Sequence, residues 1–157
     1  MAMRALASAL AVAVLFCACG SDGVASKLPD VRLSTLGGPL GPSLASCSTE
    51  KCLTVLVAPW CGVCHSVAPD IVRLRRHLDS TGISSRVVVG LAELPQIKEF
   101  AAVFGSDALL DPDRVMPARG VPLFLVTNRK GEIIKRLDGF PSGTSSPQEL
   151  AGHFGLP

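Results

Sequence analysis

The sequence contains no tyrosine and a single tryptophan, and charged residues make up only 18% of it. The formal net charge is +2, and no run of lysine and arginine is interleaved with aromatic side chains. Nucleic-acid-binding proteins carry such basic stretches to neutralise phosphates, so we expect no nucleic-acid partner. Hydrophobic residues are plentiful at 48%, which predicts a folded core rather than a disordered chain. The length of 157 residues suits one domain.

The first eighteen residues have the features of an export signal. Arg4 supplies a short positive start, and residues 5–16 form an apolar stretch that is too short for a permanent membrane span. Ala18 followed by Cys19 resembles the bacterial lipoprotein signal, in which such a cysteine is lipidated and becomes the mature N-terminus. The resemblance implies a signal peptide over 1–18, a lipid anchor on Cys19 and a place on the periplasmic side of a bacterial membrane. An ordinary cleaved secretory peptide is the alternative.

The cysteines also favour export. Beyond the predicted lipidation site four cysteines remain, an even number that suits a compartment in which disulfides persist: Cys47, Cys52, Cys61 and Cys64. Among the three possible pairings, proximity along the chain favours 47–52 with 61–64. Residues 19–28 are mostly small or polar and are predicted to be a flexible tether. Residues 29–157 then form one folded domain.

Apolar strand patterns and helical patterns alternate along this domain. A stripe of apolar residues from Val63 to Leu78, spaced by three and four, predicts a helix that stops at Gly82. Residues 37–42 are rich in glycine and proline and predict a loop. The other predicted helices are 94–104 and 147–154, and the predicted strands are 31–34, 53–57, 86–91, 123–127 and 132–138, the last two joined by a hairpin turn at 128–131. The order predicts an α/β fold with a central mixed sheet flanked by helices.

The segment between strand 53–57 and the long helix carries the predicted chemistry. Cys61 stands at the start of the helix, where unpaired backbone N–H groups and the helix dipole stabilise an anion. This position lowers a thiol pKa and favours the thiolate, which is the nucleophile of disulfide exchange. Cys64 follows almost one helical turn later, so its sulfur can resolve a mixed disulfide formed on Cys61. The sequence therefore predicts a Cys61-Gly62-Val63-Cys64 redox centre.

The motif Trp60-Cys61-Gly62-Val63-Cys64, with Pro69 and with Arg119-Gly120-Val121-Pro122, resembles the thioredoxin superfamily over roughly residues 29–157. The resemblance implies a thioredoxin fold in which Pro122 is cis and packs beside the disulfide. Trp60, Val121 and Pro122 would border a substrate groove, with the Val121 backbone pairing with an incoming peptide. We therefore expect a monomeric protein disulfide oxidoreductase that acts on protein thiols and disulfides and is served by a redox partner protein. Nothing in the sequence requires a metal or an organic cofactor.

Within the superfamily the chain is most similar to exported, membrane-tethered proteins of the TlpA/ResA type. The similar segments are 28–33 with 36–38, 111–113 and 127–134, and the first of these implies an extra N-terminal strand pair. Many such relatives carry a buried acid six residues before the first active-site cysteine. This chain has Val55 there, so proton transfer to and from Cys64 would use water or another group.

The remaining candidates have competing interpretations. Cys47 and Cys52 are predicted to form a structural disulfide, and the alternative is a second redox pair that exchanges with Cys61–Cys64. A rival from another class is a zinc or copper module that uses all four cysteines, with His65 as a further ligand. A redox-inert peptide-binding fold is a second rival, which retention of both motif cysteines disfavours. His65 is a surface residue or tunes Cys61, and Arg119 is a candidate for contacting substrate.

Overall fold

A computed structural model describes residues 26–157 as one mixed sheet with three helices. The predicted signal peptide, Cys19 and most of the predicted tether lie outside the described residues. The strands are β1 (Arg32–Thr35), β2 (Leu40–Ser43), β3 (Lys51–Val57), β4 (Ser84–Gly90), β5 (Leu109–Asp111), β6 (Leu123–Asn128) and β7 (Ile133–Asp138). The helices are α1 (Gly62–Ser80), α2 (Leu94–Ala101) and α3 (Pro147–His153). Within 26–157 no helix is both long and apolar enough to cross a membrane.

The sheet has the strand order β2-β1-β5-β4-β3-β6-β7, so that β3 lies between β4 and β6. β3 and β4 are parallel, while β6 runs antiparallel to β3. Both central strands are rich in β-branched and apolar residues, as expected of strands buried on both faces. One core lies against the helices and contains both Cys61 and Cys64, and a second core lies on the opposite face under Leu28 and Leu44. The predicted mixed α/β sheet is confirmed.

Helix α1 buries the predicted stripe except in its first turn. Val63, expected on the buried stripe, is 53% exposed. The buried residues of the helix are Cys64, Val67, Ala68, Ile71, Leu74 and Leu78. Because Cys61 is the N-cap residue, Cys64 turns into the core and Val63 turns outward. The expectation that Val63 is a core residue was wrong, and the outward orientation leaves an apolar side chain between the two cysteines.

The structure contains two strands, β2 and β5, that the hydrophobic pattern of the sequence did not predict. The predicted loop 37–42 was wrong in part, since β2 occupies Leu40–Ser43 and pairs antiparallel with β1. This hairpin is the N-terminal strand pair that the family resemblance implied. β5, only three residues long, pairs with both β1 and β4. Glycine and proline within β2 and the shortness of β5 hide both strands, and only tertiary pairing stabilises them. Helix α2 also ends at Ala101 rather than at residue 104.

The described chain enters the fold beside the β6–β7 hairpin. The Leu28 N–H donates to the Gly131 carbonyl at 3.2 Å, and the Ile133 N–H donates to the Ser26 carbonyl at 2.8 Å. Gly131 has φ +74, and a Cβ there would collide with the Ala45 carbonyl, so this turn requires glycine. In the pairing of β3 with β6, Lys51 is opposite Asn128. The entry point therefore lies at the start of β3, the end opposite to the one from which α1 begins.

Candidate active site

Cys61 and Cys64 form a disulfide at the N-terminus of α1, with Cα atoms 5.2 Å apart. Cys61 is the N-cap in an extended conformation, and the Cys64 backbone N–H donates to Cys61 Sγ with an N···S distance of 3.1 Å. Cys61 is 6% exposed and Cys64 is fully buried. An incoming thiolate therefore reaches Cys61 first. When the bond opens, the N–H groups of the first helical turn stabilise the thiolate left on Cys61.

The segment before β6 forms the wall beside Cys61. The Val121–Pro122 peptide bond is cis, and the Val121 carbonyl oxygen lies 3.6 Å from Cys61 Sγ. Register explains this meeting of distant segments, because Leu123, the first residue of β6, is opposite Leu56 near the end of β3. Val121 is half-buried and Pro122 is buried. The structure thus brings both predicted groove residues to the disulfide.

Trp60 forms the exposed apolar wall of the site. Its side chain is 65% exposed, and its indole Nε1–H donates to the Leu91 carbonyl at 2.7 Å. Leu91 has φ +61, an uncommon conformation for a residue with a branched side chain. The hydrogen bond joins the loop after β4 to the redox motif. Trp60 and Val63 together present apolar surface beside the redox disulfide, which suits contact with a polypeptide.

The charged groups near the site lie outside the cysteine core. Val55 is fully buried in the same core as both cysteines, so an apolar side chain occupies the position at which the family resemblance implies an acid. At the end of β7, a hydrogen bond from Arg136 lowers the pKa of the Asp138 carboxyl, and the nearby charge of Arg119 acts in the same direction. Arg119 is exposed and makes no hydrogen bond or ion pair with another described residue. It remains available to a substrate.

His65 faces helix α2. Its Nε2 lies 2.6 Å from the Pro59 carbonyl oxygen, and its ring centroid lies 4.2 Å from that of Phe100. The histidine thereby links the start of α1 to α2 and to the residue before Trp60. Sequence reasoning missed Phe100 and the α2 face as neighbours of the motif, because only the tertiary fold brings α2 to this end of the sheet.

A second disulfide joins Cys47 to Cys52, with Cα atoms 5.6 Å apart. Cys52 is fully buried at the start of β3, and Cys47 is half-buried. Arg86, on β4, is buried and donates to the carbonyls of Ser43 and Ser46, just before Cys47. Burial lowers the pKa of this guanidinium. Arg86 therefore holds the segment that carries the disulfide, a role that sequence analysis missed although a lone charge in an apolar strand was its signal.

The two disulfides occupy opposite ends of β3. Cys52 begins the strand and Cys61 follows its end. The five steps from Cys52 to Val57 alone span about 16 Å at the usual rise of a strand. Disulfide exchange requires sulfur atoms in contact, and zinc requires its ligand atoms about 2.3 Å from one ion. The fold does not bring the four cysteines together for either purpose. Within residues 26–157 there is also no group of three or more His, Cys, Asp or Glu side chains arranged to hold a metal ion.

Comparison with solved structures identifies proteins with a similar fold. No protein-family model and no curated protein sequence matches the chain. A secreted disulfide oxidoreductase of Mycobacterium tuberculosis, homologous to DsbE of E. coli, superposes with a TM-score of 0.61 at 15% identity, over 80% of this chain and 95% of that one. The chain has the thioredoxin fold.

Other proteins with this thioredoxin fold are similar to the same extent. A thiol:disulfide interchange protein of the thioredoxin family from Chlorobium tepidum gives a TM-score of 0.60 at 18% identity, over 85% of this chain and 98% of that one. The exposed lipoprotein thioredoxin Etrx1 of Streptococcus pneumoniae gives 0.63 at 18% identity, over 79% and 99%. The prediction of a thioredoxin fold from the motif residues is confirmed.

The Cys47–Cys52 disulfide leads to a stability prediction. Replacing both cysteines with serine should lower the free energy of unfolding by ~2 kcal/mol, because the closed loop is short and its entropy small. The melting temperature should fall by about 5–10 °C, as measured by circular dichroism. Exchange at Cys61–Cys64 should persist, since the two sites lie at opposite ends of β3. Unchanged stability with slower turnover by a protein reductant would instead indicate a redox role for the second pair.

Proposed function

We propose that this protein is a thiol–disulfide oxidoreductase that exchanges disulfides with protein substrates outside the cytoplasm. One observation carries the proposal. The Cys61–Cys64 disulfide caps α1, with the Cys64 N–H directed at Cys61 Sγ at 3.1 Å and the Val121 carbonyl oxygen 3.6 Å from the same sulfur. A nucleophile, a resolving thiol and a backbone wall for a peptide thus meet at one exposed apolar surface.

The reaction follows from the unequal burial of the two sulfurs. In the reducing direction the Cys61 thiolate attacks a substrate disulfide, forms a mixed disulfide and releases one substrate thiolate. Cys64 then loses its proton and attacks Cys61 Sγ, which expels the second substrate thiolate and closes the Cys61–Cys64 bond. The oxidising direction is the reverse, in which a substrate thiolate attacks Cys61. The bound peptide extends beside Val121 as an added strand.

The cellular setting belongs to the same proposal. The apolar N-terminal stretch and the Ala18-Cys19 junction support export and lipid anchoring, and exported disulfide enzymes need a partner protein to restore their redox state. The chain is expected to act as a monomer without metal or organic cofactor. Its exposed apolar surface at Trp60 and Val63 suits transient contact with such partners and substrates.

Exchange by the purified protein tests the proposal. The reduced protein should transfer two electrons to insulin, and thiol titration should show that the two thiols lost are those of Cys61 and Cys64. Metal analysis of the freshly purified protein belongs beside the titration. Stoichiometric zinc or copper with protected thiols, or no transfer to any disulfide, would reject the proposal.

A further inference from the structure

A pocket of about 430 Å³ opens beside the redox motif. Pro59, at one wall, is two residues before Cys61, and His65, at another, directly follows Cys64. The rest of the lining comes from α2 and the residues just after it: Gln96, Glu99, Phe100 and Val103. A polypeptide bound to Cys61 therefore has an open recess within reach of its neighbouring side chains.

The recess has an apolar part formed by Phe100 and Val103, beside the polar side chains of Gln96 and Glu99. The Phe100 ring is 5% exposed and is held by stacking against His65 and by an edge contact with Phe104. Val103, at the rim, is 52% exposed. These side chains offer contact along a hydrocarbon chain. A short polar side chain would bury nothing here, whereas a long one can lie along Phe100 and Val103.

The rim carries negative charge. Glu99 is exposed and makes no ion pair or hydrogen bond with another described residue. Lys98, its neighbour on α2, lines a different pocket on the other side of the helix. An apolar floor with an unpaired carboxylate at the rim complements lysine and arginine, whose aliphatic stems bury while their charged ends stay near water.

We propose that this pocket receives a lysine or arginine side chain of the substrate polypeptide, two or three residues from the cysteine that exchanges with Cys61. The stem packs on Phe100 and Val103, and the cationic end pairs with Glu99. Pro59, at the pocket wall, is two residues from Cys61, and two or three residues of extended peptide add a reach of about 7–10 Å. The inference rests on the proposed exchange activity and names a feature of its substrates.

Matched disulfide peptides test the pocket. The peptides differ only in lysine or glutamate two residues from the cysteine, and kcat/KM for their reduction is measured with the full chain. The wild type should prefer the lysine peptide by about two- to fivefold, the range expected for exposed charge pairs. Glu99→Gln should abolish the preference and Glu99→Lys should reverse it. Glu50→Lys, the same charge change at the far end of β3, should leave the preference unchanged.

Four outcomes would overturn the proposal. An undiminished preference in folded Glu99→Lys, verified by its thermal melt, removes Glu99 from recognition. An equal gain from lysine at six residues from the cysteine indicates general charge attraction rather than a pocket. If the wild-type protein reduces the lysine and glutamate peptides at equal rates, the pocket alone is rejected. If it reduces neither peptide, the proposed function is rejected and the pocket with it.

Discussion

Replacing Cys61 with serine should reduce disulfide exchange to the uncatalysed rate. The N-terminal N–H groups of α1 stabilise a thiolate at this position, but a serine hydroxyl does not ionise near neutral pH and is a poor nucleophile towards sulfur. The Cys61 sulfur is also the one beside the Val121 carbonyl, where the substrate is expected to bind. Insulin reduction measures the loss. A Cys61→Ser protein of undiminished rate would show that the nucleophile lies elsewhere.

Replacing Cys64 with serine should also stop turnover, but at a later step, after the mixed disulfide has formed. Cys61 can still attack, but no buried thiol remains to resolve the mixed disulfide. The variant should therefore accumulate as a covalent complex with its substrate, visible on a non-reducing gel and released by dithiothreitol. The Cys47→Ser/Cys52→Ser protein is the control, since it lacks the distant pair but keeps the redox motif and should trap nothing. Trapping by the control as well would contradict the assignment of roles.

Replacing Cys19 with serine should move the protein from the membrane fraction to the soluble fraction. The Ala18-Cys19 junction resembles a lipoprotein signal, so retention is expected to depend on the lipid. A single acyl chain binds a bilayer only marginally, and stable anchoring requires the several chains of a lipoprotein N-terminus. Fractionation and the mass of the N-terminal peptide measure the change.

Cys17→Ser supplies the matched control for anchoring. Cys17 lies in the predicted signal peptide, two residues before the lipidation site, and its replacement should leave the protein on the membrane. A wild-type protein found wholly in the soluble fraction, or a Cys19→Ser protein that stays with membranes, would refute the anchor.

Local patterns predicted the elements that carry the chemistry. The apolar run before Cys61 and the stripe after it placed the motif between β3 and α1, because strand burial and helical periodicity are encoded over a few residues. The exposure of Val63 and the existence of β5 were not predictable in this way. The first depends on how the N-cap at Cys61 places the first turn of α1 against the core, and the second on pairing with strands distant in sequence.

The sequence by itself determined the positions of Cys61 and Cys64, their spacing and the strand-to-helix junction that holds them, since a cap and one helical turn involve only neighbouring residues. Only the tertiary structure decided what surrounds them. The Val121 carbonyl reaches Cys61 from 60 residues away through the register of β6 on β3, and α2 brings Glu99 and Phe100 to the motif. The separation of the two disulfides likewise follows from β3, whose extended backbone places its ends about 20 Å apart.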